Sequence, residues 1–169
     1  MSVNLFTFVG LYSRLLDIQS HLLKKGAEHA VAAGQSEDAI LDWRLIDDMQ
    51  PLRFQTMVVC NFTRQWTARA AGLPVPGAIA DSLSLAEFNA AIADAKTFLA
   101  ALTPEQFAGR DDAPVTCLLQ EGMEPTLPAG QWLTGFATTN LYFHMSTTYG
   151  ILRSKGVQIG KVDLFPTGL

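Results

Sequence analysis

The segment Asn140–Asp163 reads NLYFHMSTTYGILRSKGVQIGKVD, and it follows a stretch from Pro125 onward that is free of Lys, Arg, Asp and Glu up to Arg153. Read as a helix, it puts Phe136, Asn140, His144, Thr147 and Ile151 on one face, because residues three and four apart share a side. Trp132, Leu141, Met145, Tyr149 and Leu152 make a second apolar surface. A helix that is apolar nearly all round must be covered nearly all round. One side is therefore expected to face a bundle. The other is expected to face the rest of the chain or a second subunit. The helix should run from about Gly130 to Ser154, with Gly156 as its stop and GVQIGKVDLF as an extended tail.

Working outward, the preceding segment VTCLLQEGMEPTLP changes period. Val115, Cys117 and Leu119 alternate, Glu121-Gly122 supplies a turn, and Met123 and Leu127 follow, which predicts a β-hairpin. Pro125 cannot donate to a ladder, so its strand is an edge or is irregular. Before it lies the clearest helix start in the chain. Ser84 and Glu87 form a capping box, Leu83 and Phe88 a hydrophobic staple, and Leu85, Phe88, Ile92, Ala95, Leu99 and Leu102 the buried stripe. Thr103-Pro104 closes this third helix, and Thr103 with Gln106 is set to cap one further short turn.

The second helix opens at Pro51, where a missing N–H does no harm. Leu52, Gln55, Val59, Phe62 and Trp66 form its stripe, and Gly72, Pro74 and Pro76 end it. Gln55 is the one polar member. Either it faces the core and needs partners, or the helix is rotated and Gln55 lies at the stripe's edge. A connection from Gln35 to Asp48 carries a short helical piece around Glu37 to Trp43. The first helix runs from about Val3 to Ala33, with Phe8, Leu11, Leu15, Ile18 and Leu22 spaced 3, 4, 3, 4 and Gly34 as the stop. His21 and His29 lie near its C-terminal end, where a cation suits the helix dipole, and both read as solvated surface. These patterns predict an all-α fold: a single domain over residues 1–169, a four-helix bundle with a short β-hairpin between helices three and four.

Composition narrows the function classes. The chain has 169 residues, 49% hydrophobic and 17% charged, with a net charge of −4. It is too apolar for disorder and charge-poor for a monomer, which predicts a homodimer packed through part of the apolar helix surface. Arg153, Lys155 and Lys161 are too thin a basic group for nucleic acid, so no nucleic-acid partner is expected. No window reaches the roughly 18 uninterrupted apolar residues of a membrane span. The opening MSVNLFTFVGLYSR has no basic region before its apolar run, so no signal peptide is expected and the default location is the cytoplasm. The two cysteines, Cys60 and Cys117, show no metal spacing and read as reduced core thiols. Asp47-Asp48 and Asp111-Asp112 read as caps and turns.

The chemistry-bearing residues converge on the fourth helix. Asn140 and His144 are four apart and point the same way from adjacent turns. Three readings stay open. In the first, His144 belongs to a buried polar network with Asn140, Thr147, Thr148 or Gln55 as partners, fixing helix register. In the second, the same groups line a small-molecule pocket between helices. In the third they hold a metal, although amides are poor ligands for zinc or iron. No Ser/His/Asp or Cys/His pairing, GxSxG, phosphate loop or HExxH is present.

The tail NLYFHMSTTYGILRSKGVQIGKVDLF is similar to the C-terminal signature of the bacterial domain-of-unknown-function family nineteen ninety-three. The helix-two opening DMQPLRFQ resembles it too, and the resemblance spans essentially the whole chain. The resemblance extends to the DinB-like and YfiT-like superfamily of metal-dependent proteins. The resemblance implies a four-helix bundle with a long connection and a hairpin-containing link before helix four. It also implies a divalent metal, zinc or nickel, held by three histidines: one on helix two and two on helix four at i and i+4. His144 matches the last of these, but Asn140 occupies the preceding position. Helix two offers Gln55 and Asn61, and the earlier part of helix four reads Leu133-Thr134-Gly135-Phe136. No cofactor is therefore expected, and no catalytic residue is assigned. The leading expectation is a non-catalytic or small-molecule-binding bundle with a degenerate metal site. The alternative is a divergent metal-dependent transferase or hydrolase acting on a thiol-containing or other small substrate.

Overall fold

The structure, a computed structural model, describes residues 4–168. Helix α1 spans Thr7–Ala32, α2 Leu52–Ala71 and α3 Leu85–Ala100. Strands β1 (Pro114–Thr116) and β2 (Thr126–Pro128) follow. The fourth helical rod, α4, covers residues 129–154. It opens with a turn, Ala129–Gln131, passes through a π-helical segment, Trp132–Ala137, and continues as α-helix Thr138–Ser154. A short 3₁₀ turn, Glu37–Asp42, lies in the α1–α2 connection, and another, Lys161–Leu164, lies in the C-terminal tail. No described helix is long and apolar enough to cross a membrane.

Local chemistry accounts for the helix ends. The expected start at Val3 lies outside the described residues, and α1 begins only at Thr7. The Asn4 side chain accepts from the Phe6 N–H at 3.1 Å and its carbonyl accepts from Thr7, forming a turn that delays the helix. Three helices stop in the same way. Gly34, Gly72 and Gly156 adopt φ of 77°, 71° and 86°, a conformation that suits glycine. The following N–H of Gln35, Leu73 and Val157 then reaches back to the carbonyl of Ala30, Ala68 and Leu152. The Ser84–Glu87 capping box at the start of α3 is present, with Ser84 N–H donating to Glu87 at 2.8 Å.

Tyr12, Leu15, Leu16, Leu22 and Leu23 of α1 pack at the centre against Val59 and Trp66 of α2, Phe88, Ile92 and Leu99 of α3, and Leu133, Leu141, Ile151 and Leu152 of α4. Helices α2 and α4 pack along a long mutual seam. Helix α1 approaches α4 closely at Gly26, where an added Cβ would stand 2.7 Å from Leu152 Cδ2.

Three features differ from the sequence expectation. The hairpin ladder is short and interrupted: Pro114–Thr116 pairs with Thr126–Pro128, and nearer the turn an isolated bridge joins Gln120 to Met123. Pro125 can offer only its carbonyl, to Cys117 N–H, so beyond it Leu118 and Leu119 turn outward and are exposed. The fourth helix is not α-helical throughout. At the π segment, Thr138 Oγ1 donates to the Leu133 carbonyl at 2.6 Å and Tyr12 hydroxyl approaches the same oxygen at 3.4 Å, so the displaced carbonyl is satisfied. Finally, His21 and His29 are half-buried rather than solvated. His21 Nε2 meets Asp163 Oδ1 of the tail at 2.8 Å, and His29 stacks edge-on against Trp43.

Candidate functional site

Gln55 lies in the first turns of α2 and is 3% exposed, so it faces inward. Its Nε2 donates to the Gln50 carbonyl at 2.9 Å. That leaves Oε1 as an acceptor, and His144 Nδ1 lies 2.7 Å from it. Because a glutamine oxygen only accepts, Nδ1 must carry the proton. The neutral ring then presents a lone pair at Nε2, which has no hydrogen-bond partner among the described residues. Burial holds the His144 pKa below the ordinary histidine value, so the ring is neutral at pH 7. Phe54 and Phe143 flank the ring, with centroids 6.0 and 5.1 Å away.

The other residues singled out from the sequence divide. Asn140 does not join the pair: its Nδ2 donates to the Phe136 carbonyl one turn back in its own helix, at 2.8 Å. Thr147 Oγ1 likewise bonds the Phe143 carbonyl. Thr148 is fully buried and belongs to a second polar group, in which Gln19 Nε2 donates to Thr56 Oγ1 at 2.9 Å and lies 3.3 Å from Thr148 Oγ1. Thr56 in turn donates to the Leu52 carbonyl. Gln19 Oε1 is buried without a protein partner. Sequence reading missed Gln19, yet the signal was there. It sits midway along the stripe Tyr12, Leu15/Leu16, Gln19, Leu22/Leu23, Gly26, at helical spacing.

The donor set is a poor fit to a divalent cation of the zinc or nickel kind. One imidazole faces the seam, its neighbouring amide oxygen is already engaged, and the Asn140 amide turns away. No group of three or more His, Cys, Asp or Glu side chains converges among the described residues. His21 and His29 lie against the tail and the α1–α2 connection. Cys60 is buried, which pushes its thiol up to about 12 and makes it a weak nucleophile at neutral pH. Two open grooves are formed elsewhere, one along α1 and the start of α3 and one between α1, α4 and the tail, and neither includes Gln55, Asn140 or His144.

Comparison with known proteins agrees with this architecture. The family model described as domain of unknown function (DUF1993) matches residues 6–165. The crystal structure of a DinB family member protein from Shewanella denitrificans is similar, with a TM-score of 0.86 and 28% sequence identity over 98% of this chain and 95% of that one. The expected DinB-like four-helix bundle with its small hairpin is therefore observed. No curated protein matches the chain.

Proposed function

The chain belongs to the DUF1993 family of domains of unknown function, and from that premise we propose a non-catalytic, small-molecule-binding bundle acting in the cytoplasm. In it His144, which the family resemblance matches to a metal-ligating histidine, is paired with the Gln55 amide. The observation that carries this reading is the 2.7 Å contact between His144 Nδ1 and Gln55 Oε1. It ties α4 to α2, fixes the ring tautomer and leaves Nε2 as a lone acceptor for a ligand N–H or O–H at the seam. A single oriented imidazole can hold a hydrogen-bonding ligand, whereas a tight divalent site needs about three or four strong donors.

One observation favours a second reading, a divergent metal-dependent transferase or hydrolase. A histidine whose second nitrogen is fixed by a partner, with the first left open, is also how a ligating imidazole is presented. Calorimetric titration of chelator-treated protein with zinc and nickel separates the two. The binding reading expects no stoichiometric uptake and no change on His144→Ala. Uptake of one ion per chain, abolished by His144→Ala and seen in anomalous density with three protein ligands, would overturn it.

We also propose a homodimer. Phe143 stands 58% exposed on the outer side of α4, which carries no charged residue before Arg153, and this supports a covered face there. Sedimentation at micromolar concentration is expected to give twice the single-chain mass, and a single-chain species alone would end the proposal.

A further inference from the structure

Away from the His144 seam, the C-terminal tail crosses back over the bundle. Asp163 holds it at two points: Oδ1 meets His21 Nε2 at 2.8 Å, and Oδ2 accepts the Gly160 N–H at 2.7 Å. Residues 164–168 then run as a strap beside α1 and α4 and close one side of a groove of about 610 Å³. The floor is apolar: Leu11, Leu15, Ile18 and Met145 face it. Arg14 is the only charged residue in the described lining, which holds no carboxylate. Ser146, exposed on α4, lies at the edge.

We propose that this groove binds a small amphipathic anion, with an aliphatic or aromatic body against Leu11, Ile18 and Met145 and a carboxylate head at Arg14. The volume is within the range of about 300–1,000 Å³ typical of small-molecule sites, which suits one such molecule rather than a protein segment. The apolar floor gives a hydrocarbon body a place out of water. A guanidinium matches a carboxylate in charge and in its forked geometry, and no Asp or Glu stands among the described lining residues. The site is separate from the His144 seam and stands or falls independently of the metal question.

The test is calorimetry on the full chain with decanoate and with decanol, which share a body and differ in the head, together with methyl NMR of Ile18 and Met145. One decanoate should bind per chain, shift both methyls and bind more tightly than decanol. Arg14→Gln should weaken decanoate about tenfold, the cost of one charge-assisted contact, and leave decanol unchanged. Ser146→Phe adds a ring at an exposed position, so it should fill the groove and block both ligands in a chain that keeps its helical circular dichroism. Equal decanoate affinity in Arg14→Gln, undiminished binding in Ser146→Phe, shifts at the His144 ring instead of Ile18 and Met145, or no saturable binding would each overturn the proposal.

Discussion

Two of the polar groups inside this bundle, the Gln55–His144 pair and the Gln19 group, differ in depth. At the α2–α4 seam, Gln55 is satisfied at both ends of its amide, and the half-buried His144 keeps one nitrogen open. At the centre, Gln19, Thr56 and Thr148 are all fully buried, and the open atom is Gln19 Oε1. An unpaired acceptor that water or a ligand can reach costs little. One sealed away from both costs about 1–3 kcal/mol. The seam pair therefore has the geometry of a site, whereas the central group has the geometry of a register device that carries a built-in cost.

Breaking the central group should give the largest effect. Gln19→Ala leaves a cavity and should destabilise the fold by about 2–4 kcal/mol in urea unfolding. Gln19→Leu removes the orphaned oxygen while keeping the volume, and Thr56 retains its bond to Leu52, but the buried Thr148 hydroxyl loses its contact with Gln19. It should cost less than Gln19→Ala, about 0–2 kcal/mol. A large loss with leucine would mean that the Gln19 bonds outweigh the unsatisfied oxygen.

Breaking the seam should cost less. Gln55→Leu strips His144 Nδ1–H of its acceptor and should destabilise by about 1–3 kcal/mol in the same assay. The seam should also be visible in pH dependence. The folded-state His144 pKa is depressed by burial, so below the unfolded value of about 6.5 the unfolded chain binds more protons. Stability contributed by the neutral ring is thus full above that value and falls as the pH drops from it toward the lower folded pKa. His144→Gln should flatten the unfolding profile between about pH 7 and 5, and a profile unchanged by the substitution would contradict the burial argument.

The smallest effect is expected at Asn140. Its amide bonds only its own helix, so Asn140→Ala should change stability by no more than about 0.5 kcal/mol and leave the His144 titration unmoved. A shift in that titration would show that Asn140 belongs to the seam.

The same contrast explains what the sequence disclosed. Helix faces follow from spacing, so the α1, α2 and α3 stripes, the Ser84–Glu87 cap and the three glycine stops were legible from periodicity and turn chemistry. Gln55 was legible as a polar member of a stripe, but its inward orientation required the fold. Asn140 and His144 share a face, yet spacing does not choose a rotamer. The Phe136 carbonyl, one turn back and always within reach, won the Asn140 amide. The π segment was only half legible, because its displaced carbonyl is satisfied by Thr138, five residues on, and approached by Tyr12, which is 121 residues away from Leu133 in sequence. The His21–Asp163 contact was equally out of reach, since it depends on where the tail returns after 142 residues.

The most direct test is the ring of His144 itself, observed by long-range ¹H–¹⁵N correlation at pH 7 before and after one equivalent of zinc. We predict a neutral ring protonated at Nδ1, with nitrogen shifts that zinc leaves unchanged. A ring protonated at Nε2, or one whose nitrogens move on stoichiometric addition of the ion, would contradict the assignment of this seam as a hydrogen-bonded pair.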